Sequence, residues 1–278
     1  MKVAVIGGRG FVGEAVRREL SEDHEIVTID PAVGGSNHVS ADITVPSSLE
    51  GILEGFDAAV NLAGLSPMKQ PRGVSYEEVH AEGASNVVEA CESQGVERLV
   101  HMSALGADPE SEIDHLRTKG EGERSVLESP LETTVFRPSI IFDHGNELVE
   151  MARRFAPTRV FPDLGTRIQP VYRGDLAEMF HMAVESEIPE DSLDVGGPGE
   201  MTIFDLAEKV YGSEGYTCHP LPLHGVISVG FQLSEFLPFI PYGMDQARFL
   251  KFDNTLEEND ASDYVDLKSV EEWLSSET

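Results

Sequence analysis

The residues best suited to chemistry in this sequence are three glycines near its start. Gly7, Gly10 and Gly13 have the spacing G-x-x-G-x-x-G, between an apolar run at 3–6 and a segment at 14–20 with helical spacing. In such a strand–turn–helix unit, the first glycine allows a sharp turn, the second lets a pyrophosphate approach the backbone, and the third lets the helix pack against the sheet. The free N–H groups of the helix N-terminus favour phosphate. The pattern therefore predicts dinucleotide binding.

Asp30 is the predicted partner of this glycine turn. It follows a second predicted strand at 25–29, at about the distance, roughly 20 residues, expected of a carboxylate that hydrogen-bonds the adenosine ribose. Such a carboxylate repels a 2′-phosphate, and no Lys or Arg lies between Asp30 and Lys69. Arg9, in the turn, is the one nearby base that could accept that phosphate. We therefore predict NAD over NADP. The alternative is a flavodoxin-like sheet with an ordinary glycine turn and a surface Asp30.

Alternating strands and helices must position these residues. After a loop at 31–41, the pattern predicts a helix at 46–54, a strand at 57–62, a helix at 75–94, a strand at 97–103, a helix at 114–128 and a strand at 132–137. Such alternation implies parallel strands with right-handed crossovers, which is the α/β, doubly wound parallel sheet of the Rossmann type. Ligands of these sheets bind at the carboxyl ends of the strands, here Gly7, Asp30, Ala63 and Ser103.

The chain is predicted to have two parts. Residues 1–143 form the dinucleotide-binding domain, and residues 144–278 form a smaller α/β region that binds a substrate or partner. Segments around 169–196 are expected to complete the sheet. Further helices are predicted at 145–155, 175–186, 203–211 and 267–275, and further strands near 169–172 and 192–195.

The charge of the chain is unusual. Fifty acidic and twenty basic residues, of which six are Lys, give a formal net charge of −30. Such self-repulsion opposes compaction unless it is screened, and at about 1 M salt the Debye length falls to roughly 3 Å. We therefore expect a halophilic, cytoplasmic protein. The alternative is an acidic mesophilic protein with a disordered acidic tail. Nucleic acid and anionic membranes are both poor partners for this surface.

The two cysteines indicate neither a disulfide framework nor a metal site. Cys91 and Cys218 belong to no CxxC or Cys/His ligand spacing, so no metal is expected. The first predicted strand begins at residue 3, and no apolar run reaches the roughly 18–20 residues needed to span a bilayer. We expect neither a signal peptide nor a transmembrane segment.

Apolar and aromatic residues interspersed with prolines mark the segment 221–243. One interpretation is a helix that packs over the substrate cleft. The other is a docking surface for a protein partner or a membrane face, since the segment is too broken and too polar to span a membrane.

Together these features resemble the extended and atypical short-chain dehydrogenase/reductase superfamily, the NAD-dependent epimerases and dehydratases, over nearly the whole chain. Within it, the chain looks most like the dinucleotide-binding accessory subunit of respiratory complex I and its prokaryotic relatives. The resemblance rests on GGRGFVG at 7–13, Asp30, Asp42-Ile43, Asn61-Leu62-Ala63-Gly64, Ser103, Lys119, RPSIIF at 137–142, QPVYRGDLA at 169–177 and VGGP at 195–198.

The resemblance implies a set of cofactor contacts. Asp42 would lie near the adenine, with Ile43 packed on it, although an acid there could also serve a helix N-terminus. Ala63 and Gly64 would pass close to the ribose and pyrophosphate, although tight packing alone could explain them. The expected cofactor-binding residues are Gly7, Arg9, Gly10, Phe11, Val12, Asp30, Asp42, Ile43, Leu62, Ala63, Gly64 and Lys119.

The resemblance also implies a catalytic group, from which this chain departs. The superfamily has a Tyr-x-x-x-Lys pair after the fourth strand and a Ser or Thr at the end of that strand. Its tyrosine exchanges a proton with substrate while nicotinamide exchanges a hydride, and its lysine holds the ribose and lowers the pKa of the tyrosine. Here the pattern reads His115-Leu-Arg-Thr-Lys119, with Ser103 preceding it. Histidine can exchange protons near neutral pH, but its ring is shorter and a neighbouring Lys⁺ disfavours its charged form.

Three functions remain open from the sequence. The first is a cofactor-binding protein with weak or no redox turnover, in the manner of the complex I subunit. The second is an active NAD-dependent oxidoreductase or nucleotide-sugar epimerase-like enzyme, with His115, Lys119 and Ser103 in the site and a small-molecule substrate that the sequence does not identify. The third is a pocket for another nucleotide.

Overall fold

A seven-stranded parallel sheet forms the centre of the molecule. The computed structural model describes residues 1–32, 34–35, 37–68, 73–222 and 248–276. The strands are β1 (Lys2–Ile6), β2 (Glu25–Asp30), β3 (His38–Ser40), β4 (Ala58–Asn61), β5 (Arg98–Met102), β6 (Glu132–Pro138), β7 (Ile141–Phe142), β8 (Val160–Asp163), β9 (Arg167–Ile168), β10 (Val171–Tyr172), β11 (Ser192–Val195), β12 (Met201–Thr202) and β13 (His219–Pro222). The central sheet has the order β11-β6-β5-β4-β1-β2-β3. The predicted α/β, doubly wound fold is confirmed.

Helices cover both faces of this sheet. They are α1 (Phe11–Leu20), α2 (Gly83–Gln94), α3 (Asp114–Leu127), α4 (Glu147–Phe155), α5 (Arg173–Val184), α6 (Ile203–Ser213) and α7 (Val270–Ser276). A π-helical segment, Glu77–Glu82, leads directly into α2. One core cluster joins α1 and α5 to the sheet, and a second joins α2 and α3 to its other face. Strands buried on both faces must be apolar throughout, which explains the short apolar runs of β1 and β4.

The second half of the chain adds one strand to the sheet and builds a third core. Strand β11 pairs in parallel with β6 at the sheet edge. Helices α4, α6 and α7 enclose a separate cluster that includes Phe142, Leu206, Tyr211 and Trp273. A capping box between Thr202 and Asp205 fixes the start of α6. The boundary at residue 143 stays a prediction.

Two local predictions were wrong. The loop expected at 31–41 contains β3. Its His-Val-Ser sequence has no apolar alternation that would predict a strand, because an edge strand is held by pairing with β2 alone. The helix expected at 46–54 is a single 3₁₀ turn, Pro46–Leu49. Gly51 and Gly55 follow it with φ of 72° and 75°, a left-handed conformation that ends a helix.

The membrane-related predictions concern different parts of the chain. None of the helices in the described ranges combines the length and apolar character needed to cross a bilayer. Apart from residues 221 and 222, the segment 221–243 lies outside the described residues. Its docking role stays a prediction.

Candidate functional site

The glycine turn packs backbone against backbone. Gly7 has φ 73°, and its N–H donates to the carbonyl of Ile29 (2.8 Å). A Cβ on Gly7 would lie 2.8 Å from the backbone nitrogen of Ala63, and a Cβ on Gly13 would lie 2.5 Å from the carbonyl oxygen of Gly7. Any side chain at either position would push apart β1, the end of β4 and the start of α1. The structure therefore brings Gly7, Gly13 and Ala63 together.

The N-terminus of α1 has the features that a pyrophosphate requires. Gly10 precedes the helix in an extended conformation (φ −71°, ψ 173°) and is exposed, and no described side chain caps the helix. Phe11 and Val12 begin the helix, so their N–H groups belong to the first turn, where no intrahelical partner exists. An open, uncapped first turn beside bare backbone fits a bound diphosphate.

Asp30 and Arg9 both contact the loop that follows β2. The register pairs Ile6 with Ile29, which places Asp30 beside Gly7. The Oδ1 atom of Asp30 accepts a hydrogen bond from the N–H of Ala32 (3.0 Å). The guanidinium of Arg9 reaches the following loop, where its Nη2 would lie 3.2 Å from a Cβ built on Gly35. The register therefore places Asp30 at the predicted ribose position, and Arg9 contacts the loop that follows it.

Asp42 and Ile43 are held by local contacts. The Oδ1 atom of Asp42 accepts hydrogen bonds from the backbone N–H (3.0 Å) and the hydroxyl (2.8 Å) of Thr44. Ile43 is buried against α2, where a Cβ on Gly83 would lie 2.6 Å from its Cδ1. The side-chain amide of Asn86 donates to the Ile43 carbonyl (2.7 Å). These bonds give both residues a structural role, and their contact with adenine stays a prediction.

Lys119 lies at the meeting point of three elements. Its Nζ donates to the carbonyl of Met102 (2.8 Å), immediately before Ser103, and would lie 3.2 Å from a Cβ built on Gly64. Leu62 is buried two residues before that glycine. Burial lowers the pKa of Lys119 to about 8, against a smaller opposing effect of Glu123. The structure thus gathers Gly64, Ser103 and Lys119 at the carboxyl ends of β4 and β5.

The lowered pKa of Lys119 predicts a pH dependence of stability. Between about pH 8 and 10.5 the unfolded chain keeps the Lys119 proton while the folded chain has released it, so the free energy of unfolding should rise with pH across this window. The Lys119→Met variant lacks this contribution. The difference in the free energy of unfolding between wild type and variant should therefore change by up to about 3 kcal/mol across this pH window. Denaturant unfolding of both proteins between pH 7.5 and 10.5 measures the difference. Parallel curves would contradict a buried, shifted Lys119.

His115 occupies the position of the missing tyrosine, one helical turn before Lys119 on α3. Its ring lies edge-on to Tyr76 (5.3 Å between ring centroids), His80 (5.1 Å) and Phe249 (5.4 Å). Burial, with a further contribution from the Lys119 charge, lowers the pKa of His115 to about 3. Its Nδ1 and the Oγ of Ser103 are buried and have no hydrogen-bond partner among the described residues.

Three site residues were not predicted from the sequence: Tyr76, His80 and His101. Leu65 donates its N–H to His80 Nε2 (2.9 Å), so the ring proton lies on Nδ1, which donates to Thr118 Oγ1 (3.1 Å). Burial, followed by the Lys119 charge, lowers the pKa of His80 strongly and that of His101 to about 3. The spacing of Tyr76 and His80, four residues apart in a helical segment, was the one signal available in the sequence.

A buried ion pair ties the second half of the chain to the glycine turn. Arg173 at the start of α5 pairs with Asp143 (Nη2 to Oδ2, 2.7 Å), and its Nη1 donates to the Phe11 carbonyl (3.1 Å). The guanidinium also lies over the Phe11 ring, 4.7 Å from its centroid. Asp143 accepts further hydrogen bonds from Trp273 Nε1 (3.1 Å) and the His144 N–H (2.7 Å). The start of α1 is therefore supported from the C-terminal half.

Comparison with known proteins identifies the family. Residues 3–124, which include the glycine turn, Asp30, Ser103 and Lys119, match the model of the "NAD dependent epimerase/dehydratase family". The chain belongs to this family. The predicted resemblance is confirmed. The predicted class of cofactor, an NAD-type dinucleotide, is also confirmed.

Two relatives show the range of proteins that are similar to this epimerase/dehydratase-family chain. The mitochondrial NADH-ubiquinone oxidoreductase 40 kDa subunit of Neurospora crassa is 28% identical over 196 residues, which are 70% of this chain and 51% of that protein. The chain thus spans about half the length of this relative. The 2-alkyl-3-oxoalkanoate reductase of Stenotrophomonas maltophilia is 27% identical over 222 residues, 68% of this chain and 67% of that protein.

A solved structure supports the fold of the family over nearly the entire chain. The human epimerase family protein SDR39U1, crystallised with NADPH, superposes with a TM-score of 0.80 and 18% sequence identity. The match covers 99% of this chain and 98% of that one. At this sequence identity, the likeness establishes the architecture alone.

Proposed function

We propose that this chain binds NAD(H) at the glycine turn and has weak or no redox turnover, as a subunit-like protein that acts mainly through its bound dinucleotide. The proposed site runs from the first turn of α1, past Asp30, to the Lys119 ammonium. The Asp30 carboxylate would accept a hydrogen bond from the free 2′-hydroxyl of NAD, which favours NAD. Arg9 is the group that would pair with the 2′-phosphate of NADP.

The observation that carries the low-turnover proposal is the state of His115. An acid–base group is efficient when its pKa lies near the operating pH. With its pKa lowered to about 3 by burial, His115 is a neutral imidazole at pH 7 and a weak base. Its ring is also enclosed by Tyr76, His80 and Phe249. The group that replaces tyrosine is therefore poorly suited to exchange a proton with a substrate.

A second candidate function is an active oxidoreductase or nucleotide-sugar epimerase-like enzyme. It is favoured by the two buried polar atoms without partners among the described residues, Ser103 Oγ and His115 Nδ1, because such atoms are costly unless something binds them. A substrate group that reached either atom would satisfy it. The similar Stenotrophomonas protein is named a reductase, which keeps this alternative open for the chain.

The His115→Phe variant separates the two functions. We expect wild type and His115→Phe to oxidise NADH equally slowly, near background, with ketones, quinones and nucleotide sugars, and to bind NADH with affinities within about threefold. His219→Gln is a matched control, since His219 is exposed and lies on β13. Turnover by the wild type and the control that is lost in His115→Phe would favour the enzyme.

A protein partner is part of the proposal. The Neurospora relative is named as a subunit of NADH-ubiquinone oxidoreductase, which supports a role within a larger assembly. We place the docking surface at 221–243 and the protein in the cytoplasm of a halophilic cell. Because the chain matches only about half of that relative, co-purification from a native extract in molar salt is the direct test of an assembly.

A further inference from the structure

Two histidines and a glutamate meet on the face of the sheet that α1 and α5 cover. His24 lies in the turn between α1 and β2, His181 lies in the last turn of α5, and Glu185 follows the end of α5. One ligand atom from each residue lies within 4.8 Å of the other two. We propose that His24, His181 and Glu185 bind a divalent transition-metal ion of the zinc class.

The state of His24 is the first argument for this site. Its side chain is 3% exposed, and its Nε2 lies 2.9 Å from Glu185 Oε1. Nevertheless, Nε2 has no hydrogen-bond partner among the described residues, so the two atoms are close without forming a hydrogen bond. A metal ion between the two atoms would satisfy both.

The chemistry of the three side chains also favours a metal ion. Two imidazoles and one carboxylate form one of the ligand sets of three-residue zinc sites, in which a water molecule takes the fourth position. Zinc–ligand distances of about 2.0–2.2 Å place tetrahedral ligand atoms roughly 3.4 Å apart. Ligand atoms up to 4.8 Å apart must therefore approach by up to about 1.4 Å, and the 2.9 Å contact between His24 Nε2 and Glu185 Oε1 must open by about 0.5 Å. The Glu185 side chain, which is 41% exposed, has freedom to move.

Charges of both signs surround the proposed site. Asp23 Oδ2 lies 3.7 Å from His181 Nε2, where it can act as a fourth ligand or orient the ring. The Met1 amino nitrogen lies 3.4 Å from His24 Nδ1. Metal binding at Nε2 places the ring proton on Nδ1, which can then no longer accept a hydrogen bond from the Met1 ammonium. Either the Met1 amino group becomes neutral and accepts from Nδ1, or this contact breaks. The acidic surface, with a net charge of −30, raises the local concentration of cations.

A metal ion here would cross-link two segments that are distant in sequence. The turn at His24 joins α1 to β2, the two elements that form the predicted dinucleotide site, and α5 begins with Arg173, which contacts the Phe11 carbonyl. Metal binding to the folded state alone would raise the free energy of unfolding by mass action. The proposed role is therefore structural.

Titration of the metal-free full chain with Zn²⁺ or Co²⁺ tests the proposal. The titrations are run with millimolar Mg²⁺ present to occupy nonspecific carboxylate sites. We expect one ion per chain, a visible absorption spectrum of tetrahedral Co²⁺, and a higher Tm with Zn²⁺. His181→Gln should weaken binding at least about tenfold and abolish that spectrum. His181 is partly exposed, so its replacement should leave the fold intact.

His219→Gln is the matched control and should behave as wild type. Circular dichroism of metal-free His181→Gln confirms that the variant is folded before it is titrated. Equal binding by wild type and His181→Gln, or binding that Mg²⁺ removes, would show that the ion sits on surface carboxylates and would overturn the proposal.

Discussion

Gly13→Ala is expected to weaken NADH binding by at least about tenfold, or 1.4 kcal/mol. The added Cβ would lie 2.5 Å from the Gly7 carbonyl oxygen and 2.6 Å from the Gly8 Cα. Both neighbours are backbone atoms, so the strain cannot be relieved by rotating a side chain, and the turn between β1 and α1 must open. Overpacking of this kind also lowers the free energy of unfolding by about 1–3 kcal/mol. Calorimetry and denaturant unfolding measure the two effects.

Gly212→Ala is the matched control for this variant. Gly212 lies in α6 and is exposed, and a Cβ built on it would meet no described atom of another segment within 4 Å. Because alanine is the better helix former, the variant should be as stable as wild type or more stable by up to about 1 kcal/mol, with unchanged NADH binding. Wild-type NADH affinity in Gly13→Ala would show that the dinucleotide does not rest on this turn.

Arg173→Met is expected to lower the free energy of unfolding by about 3–5 kcal/mol. The side chains of Arg173 and Asp143 are 13% and 8% exposed, so the variant leaves a carboxylate buried without its cation. Trp273 and the His144 N–H still donate to Asp143, but neither carries a charge to balance it. The Phe11 carbonyl at the start of α1 also loses the hydrogen bond from Arg173, so NADH binding should weaken. Urea unfolding in molar salt measures the loss of stability.

Arg167→Met removes an exposed ion pair and serves as the comparison. Arg167 pairs with Glu200 on the surface, with side-chain exposures of 58% and 35%. Surface pairs contribute about 0–1 kcal/mol, and molar salt screens them further. If Arg173→Met cost no more than Arg167→Met, the ion pair at Asp143 would not be the support of the glycine turn that we infer.

The fold was predictable because its determinants are local. The glycine turn, the carboxylate at Asp30 and the buried runs of β1, β4 and β5 are short patterns whose physical causes act within a few residues. Strand β3 was not predictable, since an edge strand is stabilised by pairing with β2 and needs no apolar alternation of its own. Its existence depends on a neighbour rather than on its own residues.

The site was predictable only where a residue belongs to a strand end or to a fixed spacing. Lys119 and His115 were identified because the family resemblance implies a pair of residues with this spacing on one helix. Tyr76 and His80 reach them because the π-helical segment crosses α3 closely, where a Cβ on Gly122 would lie 2.0 Å from the His80 carbonyl oxygen. This close approach is a tertiary contact between segments that are distant in sequence, so no local pattern predicts it. The cluster of His24, His181 and Glu185 joins distant segments in the same way, and no local ligand spacing reveals it.

Titration of the purified protein with NADH and NADPH in molar salt tests the central claim most directly, when wild type and Asp30→Ala are compared. A diphosphate on the first turn of α1 and a ribose held by Asp30 predict micromolar NADH affinity and NADPH binding weaker by at least about tenfold. Asp30→Ala should reduce that preference. Binding of neither dinucleotide, or a preference for NADPH that Asp30→Ala leaves unchanged, would contradict this account of the site.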